Sequence, residues 1–183
     1  MIRSLIATLL IILSLSLSAC SAGISGLNSY ISSNNGYQFL YPNGWVQVNV
    51  SQTSKDVDVV FRDLIERSEN LSVIISDVPP EKHLEDIGTP SEVGYELLKK
   101  ASASLPDRQV ELMNAESRPS ETQNYYILEY QVTLPNNQQR HNLASVAVDR
   151  GKLYTFNIST TQERWEQVKP LFEEVVNSFS VIY

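Results

Sequence analysis

Three runs, Val57–Phe61, Leu71–Ile75 and Ala144–Val148, carry apolar residues on both alternations of an extended chain. Successive side chains of a strand point to opposite faces, so such runs fit a sheet that is covered on both sides. Two amphipathic segments can supply the covers. Thr89-Pro90-Ser91-Glu92 combines a capping hydroxyl, an early proline and an early acid. Behind it Val93, Leu97, Leu98, Ala101 and Leu105 recur at helical spacing until Pro106 stops the pattern. A second helix, from about Gln162 to Asn177, places Trp165, Val168, Leu171, Phe172, Val175, Val176 and Phe179 on one stripe. Pro170 sits too deep in it for a first-turn proline, which predicts a kink or a break there. The expected fold class is α+β, an α-β-α sandwich with a central antiparallel sheet.

The other strands follow from alternation and turn chemistry. Tyr37–Tyr41 alternates, Pro42-Asn43-Gly44 is a turn, and Trp45–Val48 reads as the returning strand. Val57–Leu64 and Leu71–Val78 are expected to pair across a charged, solvent-facing turn at Glu66 to Asn70. Pro79-Pro80 ends the second of them, because proline removes a ladder donor. Gln109–Ser117, Tyr125–Leu134 and Asn142–Asp149 come next, and Asp149-Arg150-Gly151-Lys152 is a hairpin turn into Leu153–Ser159.

The N-terminus has its own logic. Arg3 precedes an almost unbroken apolar segment from Leu5 to Leu17, then Ser18 and Ala19, then Cys20, the only cysteine. A basic start, an apolar stretch and a small-residue cleavage site make a secretory signal. A cysteine directly after the small residues is the bacterial lipobox pattern, with cleavage before Cys20 and lipid on its thiol and amine. The apolar stretch is shorter than the ~20 residues that span a bilayer. Two or more acyl chains make a stable anchor where one is marginal. The domains expected are therefore a lipoprotein signal peptide (1–19), a lipidated flexible tether (20–35) and one folded domain (36–183). Ser21 to Asn35 is rich in Ser, Gly and Asn and carries no charge, which suits a tether.

Charge and chemistry narrow the function. A net charge of −7 with scattered basic residues disfavours nucleic acid, whose binding needs clustered Lys and Arg on phosphates. With Cys20 lipidated no thiol remains, and only two histidines exist, His83 and His141. The chain has no Gly-x-Ser-x-Gly elbow, phosphate loop or His-Glu-x-x-His, so an enzyme is not expected. The leading class is a monomeric interaction module held at a membrane through its N-terminal lipid. The second is a lipoprotein that binds a divalent cation or small ligand. A ligand protein should present a polar pocket with converging donors, a docking protein a flat or grooved patch.

An ordered series of weak motifs then points to a family. Tyr37, Phe39, Pro42 and Trp45 follow a Tyr-x-Phe-x-x-Pro-x-x-Trp order. Asn70-Leu71-Ser72-Val73 leads to Leu84-Glu85-Asp86-Ile87-Gly88-Thr89-Pro90-Ser91-Glu92. Arg140-His141-Asn142-Leu143, Asp149-Arg150-Gly151-Lys152-Leu153-Tyr154, Arg164-Trp165 and Ser178-Phe179-Ser180-Val181 complete it. From about Tyr37 to Tyr183 the chain resembles the PsbP family of photosystem II extrinsic proteins, and the lipobox makes it resemble that family's cyanobacterial lipoprotein form. The resemblance implies an α-β-α sandwich on the lumenal side of the thylakoid membrane, lipid-anchored there. It implies photosystem II core subunits or assembly intermediates as partners, and an assembly or stabilisation role. The plant members help retain calcium and chloride for oxygen evolution through a long N-terminal extension, whose place here is taken by the lipid and the tether.

The resemblance also nominates residues. In plant members a histidine of an Arg-His-x-Leu motif and an aspartate shortly before Arg-Trp are candidate divalent-metal ligands. The histidine falls on His141; Gln162 stands where the aspartate would be, with Glu163 beside it. The candidate cation is calcium, manganese or zinc, with none required. One ligand in place of a cluster instead favours a surface or hairpin-end His141 bonded to a backbone carbonyl. Arg140, Arg164 and Trp165 are the interaction candidates, although the spacing of Trp165 with Val168 and Phe172 favours a core anchor. His83, in Glu81-Lys82-His83-Leu84-Glu85-Asp86, reads as part of a solvated loop.

Overall fold

A computed structural model describes residues 26–49, 56–104, 107–121 and 123–182. Seven strands form an antiparallel sheet in the order β3 (Trp45–Val48), β4 (Val57–Asp63), β5 (Asn70–Asp77), β9 (Lys152–Thr161), β8 (Gln139–Asp149), β7 (Asn124–Thr133) and β6 (Gln109–Pro119). A second sheet of three strands joins β1 (Leu27–Ser32), β2 (Tyr37–Pro42) and β10 (Ser180–Val181), with β2 in the middle. The helices are the short α1 (Leu84–Ile87), α2 (Pro90–Ser104) and α3 (Trp165–Asn177). The fold is the α+β sandwich expected.

Its two covers explain the doubly apolar runs. On one face Val59, Phe61, Leu71, Val73, Phe156 and Ile158 pack against α3 and the small sheet. On the other, Ala144, Val146, Val148 and Leu153 pack with Leu84 and Val93 of the α1–α2 side. Adjacent residues of β8 such as Val146 and Ala147 are thus both fully buried, on opposite faces.

Local chemistry sets the connections. The Glu92 carboxylate accepts from the Thr89 backbone N–H at 2.8 Å and from its hydroxyl at 2.9 Å, the reciprocal cap that starts α2 at Pro90. Asp149 pairs with Lys152, so β8 and β9 are joined by two residues, Arg150 and Gly151, with φ of 46° and 74°. Both central residues at positive φ match the twist of the flanking strands.

Four expectations need correction. Leu27–Ser32, inside the expected tether, is a strand paired with β2 in register from Leu27↔Pro42 to Ser32↔Tyr37, so order begins well before residue 36. Its Tyr30 packs on Tyr37, Phe39 and Phe61, which is the reason an uncharged, polar stretch is held down. Tyr37–Pro42 and Trp45–Val48 are not a pair: the turn at Asn43-Gly44 carries the chain from the small sheet to the edge of the large one. The last helix begins at Trp165 after a 3-10 turn at Gln162–Arg164, and runs through Pro170 unbroken. Leu171 lies outside its buried face, at 37 % exposure. The pairing of β4 with β5 is as expected.

Candidate functional site

The nominated residues gather where β8 begins, β9 ends and α3 starts. Cross-strand register sets this out: His141 faces Thr160 on β9 and Gln131 on β7, and Gln162–Arg164 follows directly from β9. His141 and Trp165 fall on the α3 side of the sheet and Arg140 on the α2 side, because successive side chains alternate.

His141 is buried, at 4 % exposure. Its ring stacks on Trp165 with centroids 3.8 Å apart and an interplanar angle of 11°. Nε2 donates to Glu129 Oε1 at 2.7 Å, and Nδ1 lies 2.9 Å from Gln162 Oε1. That same amide oxygen accepts from Gln131 Nε2 at 2.8 Å. The expected backbone-bonded surface histidine is therefore corrected to a core histidine clamped by side chains. Trp165 is a core anchor at 2 % exposure, with Lys169 Nζ 5.6 Å above its ring.

The metal set is not assembled. Gln162 reaches His141, but Glu163 is exposed and makes no hydrogen bond or ion pair among the described residues. No cluster of three His, Cys, Asp or Glu able to hold a metal occurs among the described residues. A cation would need a free nitrogen on His141, and each nitrogen already faces a side-chain oxygen.

Arg164 belongs to a second, adjoining network. Its Nε donates to Glu69 Oε1 at 2.7 Å and lies 3.8 Å from Glu66 Oε2. Glu69 is buried at 4 % exposure and also accepts from the Thr160 hydroxyl at 3.1 Å. The paired carboxylates push the Arg164 guanidinium up, chiefly through the Glu69 hydrogen bond. Ser68, donating from hydroxyl and backbone, holds Glu66 below the ordinary carboxylate range. On the other face Arg140 donates to the Ser159 hydroxyl at 2.7 and 3.0 Å, and to the Ser68 carbonyl at 2.5 Å. Both arginines thus tie the Glu66–Asn70 turn to the sheet, and the turn is not simply solvent-facing.

Glu69, Glu129, Gln131 and Thr160 were not nominated from sequence. Glu129 had a signal: it shares strand parity with Tyr125 and Ile127, so a carboxylate falls on an inward face. Glu69 had none, because only the tertiary position of Arg164 gives its charge a partner. Cys20 lies outside the described residues. His83 is exposed and its N–H donates to Asp86 Oδ2 at 2.9 Å.

The PsbP family model matches residues 25–181. The chain belongs to the PsbP family. It is 54% identical to CyanoP of Synechocystis sp. over 173 residues, covering 93% of this chain and 92% of that one. It is 48% identical to CyanoP of Thermosynechococcus vestitus over 186 residues, covering 99% of this chain and 100% of that one. The solution structure of the Synechocystis protein superposes with a TM-score of 0.75, over 91% of this chain and 99% of the other. A PsbP-type photosynthetic protein of this fold therefore carries the His141–Trp165 clamp within its core.

Proposed function

We propose that the protein is a non-catalytic, lipid-anchored docking factor on the lumenal side of the thylakoid membrane, binding photosystem II core subunits or their assembly intermediates. The observation that carries the reading is likeness to CyanoP along nearly the whole chain, within the PsbP family. The occupied ring of His141 favours docking over cation holding, since a ligand role would cost the histidine its Glu129 or Gln162 bond. Cys20 supplies the anchor.

Affinity capture of the C-terminally tagged full chain from detergent-solubilised thylakoid membranes, with and without EDTA, tests it. Photosystem II core subunits or their precursors should be recovered equally in both. Recovery abolished by EDTA moves the mechanism to a bound cation, and recovery of no photosystem component removes the docking reading. In parallel, Cys20→Ala should shift the protein from the membrane to the soluble fraction with an unchanged circular dichroism spectrum. A variant that stays on the membrane would show that something other than the lipid holds it.

A further inference from the structure

On the α2 side of the sheet, past the C-terminal half of that helix, the strands leave a hollow of about 370 Å³. Its floor is a cross-strand row: Asn70 pairs with Ser159, Ser159 with Asn142, and Asn142 with Tyr130. Ile74, Ala101, Val110 and Val132 make its apolar walls. Two guanidiniums, Arg108 and Arg140, border it.

The charge arrangement is unusual for an acidic chain. Arg140 spends Nε and Nη2 on Ser159 and Ser68, leaving Nη1 without a partner among the described residues. Arg108 is exposed and makes no hydrogen bond or ion pair among the described residues. Neither forms an ion pair with a carboxylate among the described residues, although the chain holds 21 Asp and Glu. Burial is the main cause that lowers the Arg140 pKa, the Arg108 charge adds to it, and the Glu69 charge opposes both. Arg62, paired across from Asn70 on the same face, extends the positive rim.

A second observation lies on the floor. Asn142 is 5 % exposed, yet its Nδ2 holds only two contacts of 3.5 Å, to the Tyr130 and Arg140 carbonyls. Those are at the outer limit of a hydrogen bond. Its Oδ1 has no partner among the described residues, and because a flip would set that oxygen against the same two carbonyls, the atom left free is an acceptor. A nearly buried amide with so little to hold it, beside two cations that form no ion pair among the described residues, suits a polar ligand.

We propose that this hollow binds an oxyanion, a phosphate or carboxylate group borne by a small molecule with an apolar body. Arg108 and Arg140 Nη1 meet the charge, Asn142 Oδ1 accepts from a hydroxyl of the same molecule, and the aliphatic walls take the rest of it. The site stands whether or not the protein docks on a photosystem. Its source is either a soluble organic anion or the headgroup of an anionic lipid.

The test uses the full-length protein in neutral detergent and follows the Arg Nε–Hε and Asn142 amide signals by NMR. Hexyl phosphate and dihexanoyl phosphatidylglycerol are the probes. Saturable shifts confined to Arg108, Arg140 and Asn142 are expected, with affinity at least tenfold weaker in Arg108→Gln and unchanged in Lys169→Gln on α3. Arg108 is exposed, so its variant should fold. Tighter binding of hexyl phosphate points to a soluble anion, and tighter binding of the phosphatidylglycerol to a lipid headgroup. Shifts that never saturate with either probe, or that persist equally in Arg108→Gln, overturn the proposal.

Discussion

His141 illustrates how one side chain can join three elements. It bonds Glu129 on β7, bonds Gln162 in the 3-10 turn and stacks on Trp165 of α3. His141→Ala removes the stacking partner, opens a cavity beside Trp165 and leaves a Glu129 side chain of 21 % exposure without its donor. A loss of about 2–4 kcal/mol is expected from the cavity and the stranded polar groups together. Urea unfolding measures it, and a loss below about 0.5 kcal/mol would mean that the clamp is not structural. The same residue separates two readings of the site. A structural clamp leaves wild-type stability indifferent to EDTA, whereas a cation held by His141 would make it fall.

Among the elements, β1 departs furthest from its sequence. Leu27–Ser32 has the composition of a tether but pairs with β2 along its length. Leu27 and Tyr30 pack on the core from it, and Tyr30 touches three aromatic rings with centroids 5.1 to 6.2 Å away. Tyr30→Ala should cost about 1–3 kcal/mol. It should also speed hydrogen exchange of the β2 amides ahead of the large sheet, and uniform protection in the variant would return β1 to the status of a tether. In α3, Pro170 removes one backbone donor and crowds the Glu166 carbonyl, a penalty of roughly 3 kcal/mol in a helix interior. The helix continues because Trp165, Val168, Phe172, Val175 and Val176 are buried on both sides of that point. Tertiary burial, not local propensity, sets helix continuity here.

For the molecule as a whole, buried and half-buried phenols make stability fall at alkaline pH. Burial is the main cause that raises Tyr37, Tyr126, Tyr130 and Tyr154 above the ordinary phenol value of 10.0. Asp58 adds to this at Tyr37 through its hydrogen bond and its charge. Above pH 10 the unfolded chain loses these protons while the folded one keeps them, so the folded state binds more protons and stability falls as pH rises. The contribution is whole below the unfolded pKa and vanishes through the folded values. Thermal midpoints should therefore hold between about pH 7 and 9 and decline above about 10, with a shallower decline in Tyr130→Phe. An equal slope in that variant would rule out Tyr130 as a contributor.

Much of this protein is legible in its chain because the governing interactions are local or periodic. The doubly apolar runs require a sheet with two covers, the Thr89–Glu92 cap starts a helix, and Arg150-Gly151 turns a hairpin. The ordered motifs from Tyr37 to Val181 point to the PsbP family. What the tertiary structure alone decided is which polar groups meet. His141, Glu129, Gln162 and Trp165 are separated along the chain, and Arg164, the partner of Glu69, lies 95 residues further on. Strand register brings them together, and register depends on packing over the whole sheet. The fate of β1 has the same cause: its backbone pairs because β2 offers an open edge and a row of rings for Tyr30, neither of which is written in Leu27–Ser32 itself.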